Sequence, residues 1–179
     1  MPAIIPPSPW VVRHCERIPK GGEVLDLACG RGRHVRLLAG LGYPVAAVDR
    51  DFEAISGLRG LAGVMPQQAD LEGDDWPLAG RSFAGIVVTN YLWRPRLPDV
   101  LALLAPGGVL IYETFMLGNE IYGKPSNPDF LLRRDELLGW AMPRLLVVAF
   151  EQGLVSRPKP AVVQRICAVR GGALRLPPG

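Results

Sequence analysis

Residues 23–34 read Glu-Val-Leu-Asp-Leu-Ala-Cys-Gly-Arg-Gly-Arg-His, EVLDLACGRGRH. An apolar strand runs into a carboxylate at Asp26 and then into the small residues Ala28, Cys29, Gly30 and Gly32. A helical stretch follows through Val35, Leu37 and Leu38. Strand, tight turn and helix start, in that order, set backbone N–H groups around a nucleotide-like ligand. Small residues suit such a turn because a Cβ would hold the ligand off the backbone.

Outward from this turn, apolar strands alternate with helical stretches. Strands are expected over Glu23–Ala28, Pro44–Val48, Val64–Gln68, Phe83–Thr89, Val109–Phe115, Leu145–Phe150 and Val162–Val169. Helices are expected over His34–Leu41, Phe52–Leu61, Leu97–Leu104 and Arg134–Ala141. Ser8-Pro9 before Trp10-Val11-Val12 reads as an N-cap with proline at the first helical position, so the first 20 residues form an N-terminal helical segment ending near Ile18.

Ile86-Val87-Val88 and Val109-Leu110-Ile111 are apolar throughout instead of alternating, as in a parallel sheet covered on both faces. The expectation is a doubly wound α/β domain of three layers with a mostly parallel seven-stranded sheet. Glu151–Pro160 is too short for a crossover helix, so the last two strands form an antiparallel edge hairpin. Residues 116–130 break the scheme: from Leu117 to Phe130 the sequence LGNEIYGKPSNPDF is polar, rich in Gly and Pro and without period. A stretch of this kind forms a binding loop, here the expected substrate loop. Residues 171–179 are expected to be a frayed tail.

A length of 179 residues fits one domain over residues 1–179. With 49% hydrophobic and 21% charged residues the composition is that of a globular protein, and no uncharged apolar run is long enough to span a membrane. The opening MPAIIPPSPW lacks a basic start and an apolar segment, so no signal peptide is expected. Cys15, Cys29 and Cys167 are scattered without metal-like spacing. Reduced thiols, a cytoplasmic location and no metal follow as expectations. The net charge is +3, and the basic residues are spread along the chain, so a solvated surface is favoured over a nucleic-acid face.

In open α/β sheets, ligands bind at the carboxyl ends of the strands. Here those ends carry Asp26, then Asp49, then Asp70-Leu71, then Thr89-Asn90-Tyr91, then Glu113-Thr114-Phe115. A dinucleotide fingerprint needs a third glycine. Aligned on Gly30 and Gly32, that position is Val35, and the helix start carries Arg31, Arg33 and His34. A nicotinamide or flavin site is therefore disfavoured.

Five stretches in order resemble the class I S-adenosylmethionine-dependent methyltransferases: VLDLACGRG, VAAVDRD, QADLE, FAGIVVTNYL and LAPGGVLIYETF. Alanine at the first glycine position is similar to the subgroup related to tellurite-resistance and thiopurine methyltransferases. The ETF…GNE…G-x-P-x-N-P stretch resembles small stand-alone bacterial members of uncertain substrate. The resemblance implies a Rossmann-like methyltransferase fold, with S-adenosyl-L-methionine as cofactor and S-adenosyl-L-homocysteine as product. It implies that Asp26, Ala28, Gly30 and Gly32 hold the methionine moiety, with Arg33 and His34 beside them. Asp49, followed by Arg50, would bind the ribose, Asp70 and Leu71 the adenine, and Asn90 would close the site near the sulfonium.

Candidates for acceptor contacts are Tyr91, Trp93, Arg94, Asn119, Glu120, Tyr122 and Asn127. Asn90, Tyr91 and Glu113 are the candidates for any catalytic group, since methyl transfer needs a base only when the acceptor must lose a proton. The expected acceptor is a small molecule, with an RNA or protein acceptor as the alternative and a non-catalytic cofactor-binding partner protein as a reading of another class. No membrane partner is expected, and the expected assembly is a monomer or homodimer.

Overall fold

Val24–Leu27 (β1) is the third strand across a seven-stranded sheet. The remaining strands are β2 (Val45–Asp49), β3 (Val64–Gln68), β4 (Phe83–Thr89), β5 (Leu104–Phe115), β6 (Leu146–Val155) and β7 (Ala161–Val169). The structure is a computed structural model, and it describes residues 5–172. The sheet order is β3-β2-β1-β4-β5-β7-β6. The first five strands are parallel, and β7 enters antiparallel between β5 and β6. The chain builds outward from β1 to β3 and then crosses back to β4. The strand order therefore reverses between β1 and β4, where a crevice opens at the carboxyl ends.

Side-chain alternation along β1 divides the core. Leu25 and Leu27 join Val48, Ile86, Val88 and Leu110 beneath α4 (Leu97–Ala102) and α5 (Glu136–Ala141). Val24 joins Val45, Ala47, Val87 and Ile111 beneath α1 (Pro9–His14) and α2 (Arg33–Gly40). Asp26 shares the face of Val24 and is the carboxylate within that layer. A further helix, α3 (Phe52–Ser56), starts at Asp51, whose carboxylate accepts from the Glu53 and Ala54 amides. No helix links β3 to β4. That connection is irregular, with Leu78 and Trp76 packed on the core.

The expected boundaries shift where tertiary pairing overrides local pattern. The first helix is α-helical only to His14 and continues as a 3₁₀ turn over Cys15–Arg17. The helix expected to Leu61 stops at Ser56, and the following turns fold Leu58 into the core. The helix expected to Leu104 stops at Ala102 because Leu104 already pairs with Phe83. The helix expected from Arg134 begins at Glu136, behind a left-handed Asp135. The sixth strand extends to Val155 because its pairing with β7 persists to Ala161. Residues 117–130 contain two 3₁₀ turns, Asn119–Ile121 and Pro128–Phe130. Of the tail, residues 173–179 lie outside the described residues.

Ser8 fixes how α1 meets the sheet. Its hydroxyl accepts from the Trp10 amide at 3.1 Å and donates to Glu113 Oε1 at 2.7 Å. Its own amide donates to His34 Nε2 at 3.0 Å. Trp10 is buried, and its Nε1–H donates to the Ile166 carbonyl across the sheet. Ser8→Ala removes the cap and one bond of Glu113, so unfolding in urea should show a loss of about 1–2 kcal/mol with unchanged far-ultraviolet circular dichroism.

Candidate functional site

The turn after β1 closes on itself and on β2. The Cys29 amide donates to the Val48 carbonyl at 3.0 Å, and the Gly32 amide donates to the Cys29 carbonyl at 3.0 Å. Ala28 and Gly30 are left-handed, with φ of 54° and 53°. Gly32 is also left-handed, at 75°, but its small size serves packing: a Cβ there would meet Leu58 Cδ2 at 2.4 Å. A Cβ on Gly30 would meet no protein atom within 4 Å. Gly32 is thus small for the helix behind it, and Gly30 faces the open crevice.

Asp49 joins the first two strand exits. Its Oδ2 accepts from the Gly30 amide at 2.8 Å and its Oδ1 from the Asp51 amide at 2.9 Å. Each oxygen keeps a lone pair for a further donor. Arg50 is exposed beside it, its carbonyl accepting from Gln68. At the third exit Asp70 is exposed and takes the Glu72 amide on one oxygen, while Leu71 is buried.

Asp26 is the most unusual group in the site. It is 1% exposed, and neither carboxylate oxygen has a hydrogen-bond partner among the described residues. Burial pushes its pKa from the ordinary 3.8 up to about 8, against the pull of the Arg33 charge and of the nearby Val35 amide. A carboxylate buried in this way favours its protonated form. The Arg33 guanidinium is bound to the Pro6 carbonyl at 3.3 Å.

His34 has a different employment from its neighbours in the turn. Nε2 accepts from the Ser8 amide, and Nδ1 lies 3.4 Å from Thr89 Oγ1. Burial drives its pKa down to about 3, so the ring is neutral. Both nitrogens are committed to joining α1, α2 and β4. Glu113 is likewise committed, accepting from Ser8 on Oε1 and pairing with Arg165 on Oε2 at 3.1 Å.

At the fourth exit Asn90 is exposed and left-handed, φ 54°, with its amide bound to the Glu113 carbonyl. No described residue bonds its side-chain amide, which is available at the crevice. Tyr91 carries a buried hydroxyl without a partner among the described residues. Its ring lines a small cavity with Leu71, Trp76 and Trp93.

The residues of the long loop hold the loop together. Arg94 forms a bidentate pair with Glu136, at 2.7 and 3.0 Å, and donates to the carbonyls of Asp129 and Leu131. Asn119 is buried, donating to the Pro125 carbonyl and accepting from the Val162 amide. Asn127 caps Asp129, and Glu120 accepts from the Gly118 amide. Tyr122 is exposed. The loop is therefore pinned to the turn that carries Asn90 and to the start of β7. Sequence reasoning missed Ser8 as the partner of Glu113 and His34, and Tyr112, whose hydroxyl holds the Tyr91 carbonyl at 2.7 Å. Ser8-Pro9 signals a cap but not its distant partners, and Tyr112 sits in an apolar run without any mark of its own. Among the described residues no group of three or more His, Cys, Asp or Glu could hold a metal ion.

A β3-β2-β1-β4-β5-β7-β6 sheet with one reversed strand, and a small-residue turn at the switch point, defines the class I methyltransferase fold. The sequence bears this out: a family model described as a methyltransferase domain matches residues 24–108. That match spans a little under half of the chain, and the fold around it is the one seen in S-adenosyl-L-methionine-dependent methyltransferases. The protein-L-isoaspartate O-methyltransferase of Chlorobaculum tepidum is 37% identical over 114 residues, which are 59% of this chain and 50% of that relative. The chain thus spans about half of that relative's length. The crystal structure of TehB from Haemophilus influenzae matches with a TM-score of 0.73 at 19% identity, over 89% of this chain and 61% of TehB. A SAM-dependent methyltransferase from Methanosarcina mazei matches with a TM-score of 0.67 at 18% identity, over 93% and 99% of the two chains. At these identities the likeness to solved structures is one of fold.

Two outcomes follow from the site's own geometry. The folded chain binds the Asp26 proton more tightly than the unfolded chain does, so this group's contribution to stability falls as pH rises from about 4 to about 8. Asp26→Asn should therefore stabilise the ligand-free protein, by an amount that grows from pH 5 to pH 8 in urea unfolding. Arg94→Ala should leave the sheet intact and free the loop, seen as faster limited proteolysis within residues 117–130.

Proposed function

We propose that this chain transfers the methyl group of S-adenosyl-L-methionine to a small-molecule acceptor and releases S-adenosyl-L-homocysteine. The observation that carries the reading is Asp26, a buried carboxylate with no partner beneath an open glycine turn. A cationic amino group placed in that turn would complete it. The fit extends along the strand ends. Ala28, Gly30 and Gly32 shape the turn for the methionine moiety, with Arg33 near its carboxylate. Asp49, with Arg50 beside it, has one free lone pair on each oxygen for the two ribose hydroxyls. Asp70 and the Leu71 amide serve the adenine edge. Asn90 offers its side chain where β4 meets the crevice.

Bound there, the cofactor supplies an electrophilic methyl carbon whose bond to sulfur breaks as the acceptor's bond forms. The protein contributes placement, a term of about 7–11 kcal/mol when two reactants are well oriented. His34 and Glu113 position the elements around the crevice, and the pinned loop with Trp93 and Tyr122 forms the acceptor side. Residues 1–179 act as one domain in this reading, in the cytoplasm, as a monomer or homodimer.

A small acceptor is favoured over RNA because the basic residues are spread along the chain without a sustained cluster. Arg81, Arg94, Arg96 and Arg165 are in addition engaged by carboxylates of the same chain. A protein acceptor is the second reading, favoured by the likeness to a protein-L-isoaspartate methyltransferase.

Isothermal titration with S-adenosylmethionine and S-adenosylhomocysteine tests the donor, and release of S-adenosylhomocysteine against metabolite and protein pools tests the acceptor. Absence of binding to either adenosyl ligand would sink the proposal, and binding without turnover would favour a non-catalytic partner role. Asp49→Ala should weaken S-adenosylhomocysteine binding about 10- to 100-fold while circular dichroism stays unchanged.

A further inference from the structure

Tyr91 belongs by sequence to the acceptor candidates, yet its surroundings lie elsewhere. The charges whose fields act on its hydroxyl are those of Glu72, Asp70, Arg50 and Asp49, all at or just after the ends of β2 and β3, and its side chain shares a cavity wall with Leu71. No residue of loop 117–130 is among them. Burial first, and then these carboxylates, keep the phenol protonated far above neutral pH. It is therefore a permanent O–H donor held next to groups that serve the nucleoside half of the site.

That donor has no acceptor. The hydroxyl oxygen is buried and without a hydrogen bond among the described residues. The position is also held firmly: Tyr112 donates to the Tyr91 carbonyl at 2.7 Å, and the left-handed Asn90 sets the direction in which the chain leaves β4. Beside the ring lies a small cavity of about 10 Å³, walled by Leu27, Leu71, Trp76 and Trp93 together with Arg96 and Tyr112. A native fold keeps an unpaired buried hydroxyl at a cost to stability, and such a group calls for an explanation.

We propose that the Tyr91 hydroxyl donates a hydrogen bond to a ring nitrogen of the cofactor's adenine, making Tyr91 a base-selecting residue of the cofactor site and not an acceptor contact. The inference rests on the S-adenosylmethionine reading above. It adds a side-chain donor to the contacts from Asp70 and Leu71, and it accounts for a polar group that is unpaired in the free protein.

Tyr91→Phe separates this role from a structural one. A hydroxyl reserved for ligand predicts opposite effects in the two states: the ligand-free variant gains thermal stability, while its affinity for S-adenosylhomocysteine falls about 3- to 10-fold. The nitrogen involved is read with 1-deaza, 3-deaza and 7-deaza analogues of S-adenosylhomocysteine. One of them should bind the unaltered protein more weakly by the same factor and lose nothing further on Tyr91→Phe. Equal affinity of variant and unaltered protein for S-adenosylhomocysteine overturns the proposal, as does a lower stability of the ligand-free variant. Three deaza analogues that all bind the unaltered protein as well as the parent ligand also overturn it. If the unaltered protein binds no adenosyl ligand, the cofactor reading itself fails and this inference falls with it.

Discussion

The hydrogen bond from the Gly30 amide to the Asp49 carboxylate ties the first turn of the chain to the end of the second strand. Without it, the left-handed turn at Ala28 to Gly32 would be held by its own short bonds, by the Cys29 amide on the Val48 carbonyl and by the packing of Leu58. With it, the turn and the carboxylate orient each other, and Asp49 is left with one free lone pair per oxygen. The remaining parts of the site take position from this pair. Asp26 lies beneath the turn, α2 starts from its last glycine, and β3 delivers Asp70 to the other side of Asp49. A charge-assisted bond of this kind is worth more than a neutral one, and half of it is backbone. No side-chain substitution at Gly30 reproduces it without the left-handed strain.

A second network fixes the opposite wall. Ser8, His34, Thr89, Glu113 and Arg165 connect α1, α2, β4, β5 and β7 through side chains that are mostly buried. Arg165 also stacks over Trp10 and reaches Glu151, which pairs in turn with Arg13. Two groups that resemble catalytic residues by type, a histidine and a glutamate near the crevice, are thereby consumed as joints. Their value is positional: the exit of β4, which carries Asn90, cannot tilt without breaking bonds to three other elements.

The sheet, its parallel core and its reversed edge were legible because apolar runs with no alternation have few other uses, and because a ten-residue connection cannot cross a sheet. The carboxylates at the strand ends were legible for a related reason: a charged residue closing a buried strand is unusual wherever it occurs. What stayed hidden was employment. His34, Glu113, Arg94 and Asn119 are polar residues near the right end of the sheet, and sequence alone does not distinguish a group that waits for a ligand from one that already has a partner. The distinction depends on distant residues such as Ser8 and Glu136, whose proximity is created by the fold. Tyr91 illustrates the converse. It follows Asn90 directly, yet its side chain shares a cavity with Leu71, the residue beyond β3.

The connection from β3 to β4 has no helix, and this gives the two sides of the crevice different mechanical characters. Where β5 continues into the long loop, a guanidinium with four bonds and a buried asparagine brace the wall from both ends. Across the crevice, the nucleoside side is closed by an irregular segment whose carbonyls at Gly73 and Asp74 hang from the single guanidinium of Arg96, stacked over Trp76. Leu71, Trp76 and Leu78 keep the ends of that segment on the core, so the loosely held part is confined to the stretch between Leu71 and Trp76. The two walls of the crevice thus differ in where they can yield: one is braced along its whole length, the other only at the two ends of a short acidic span.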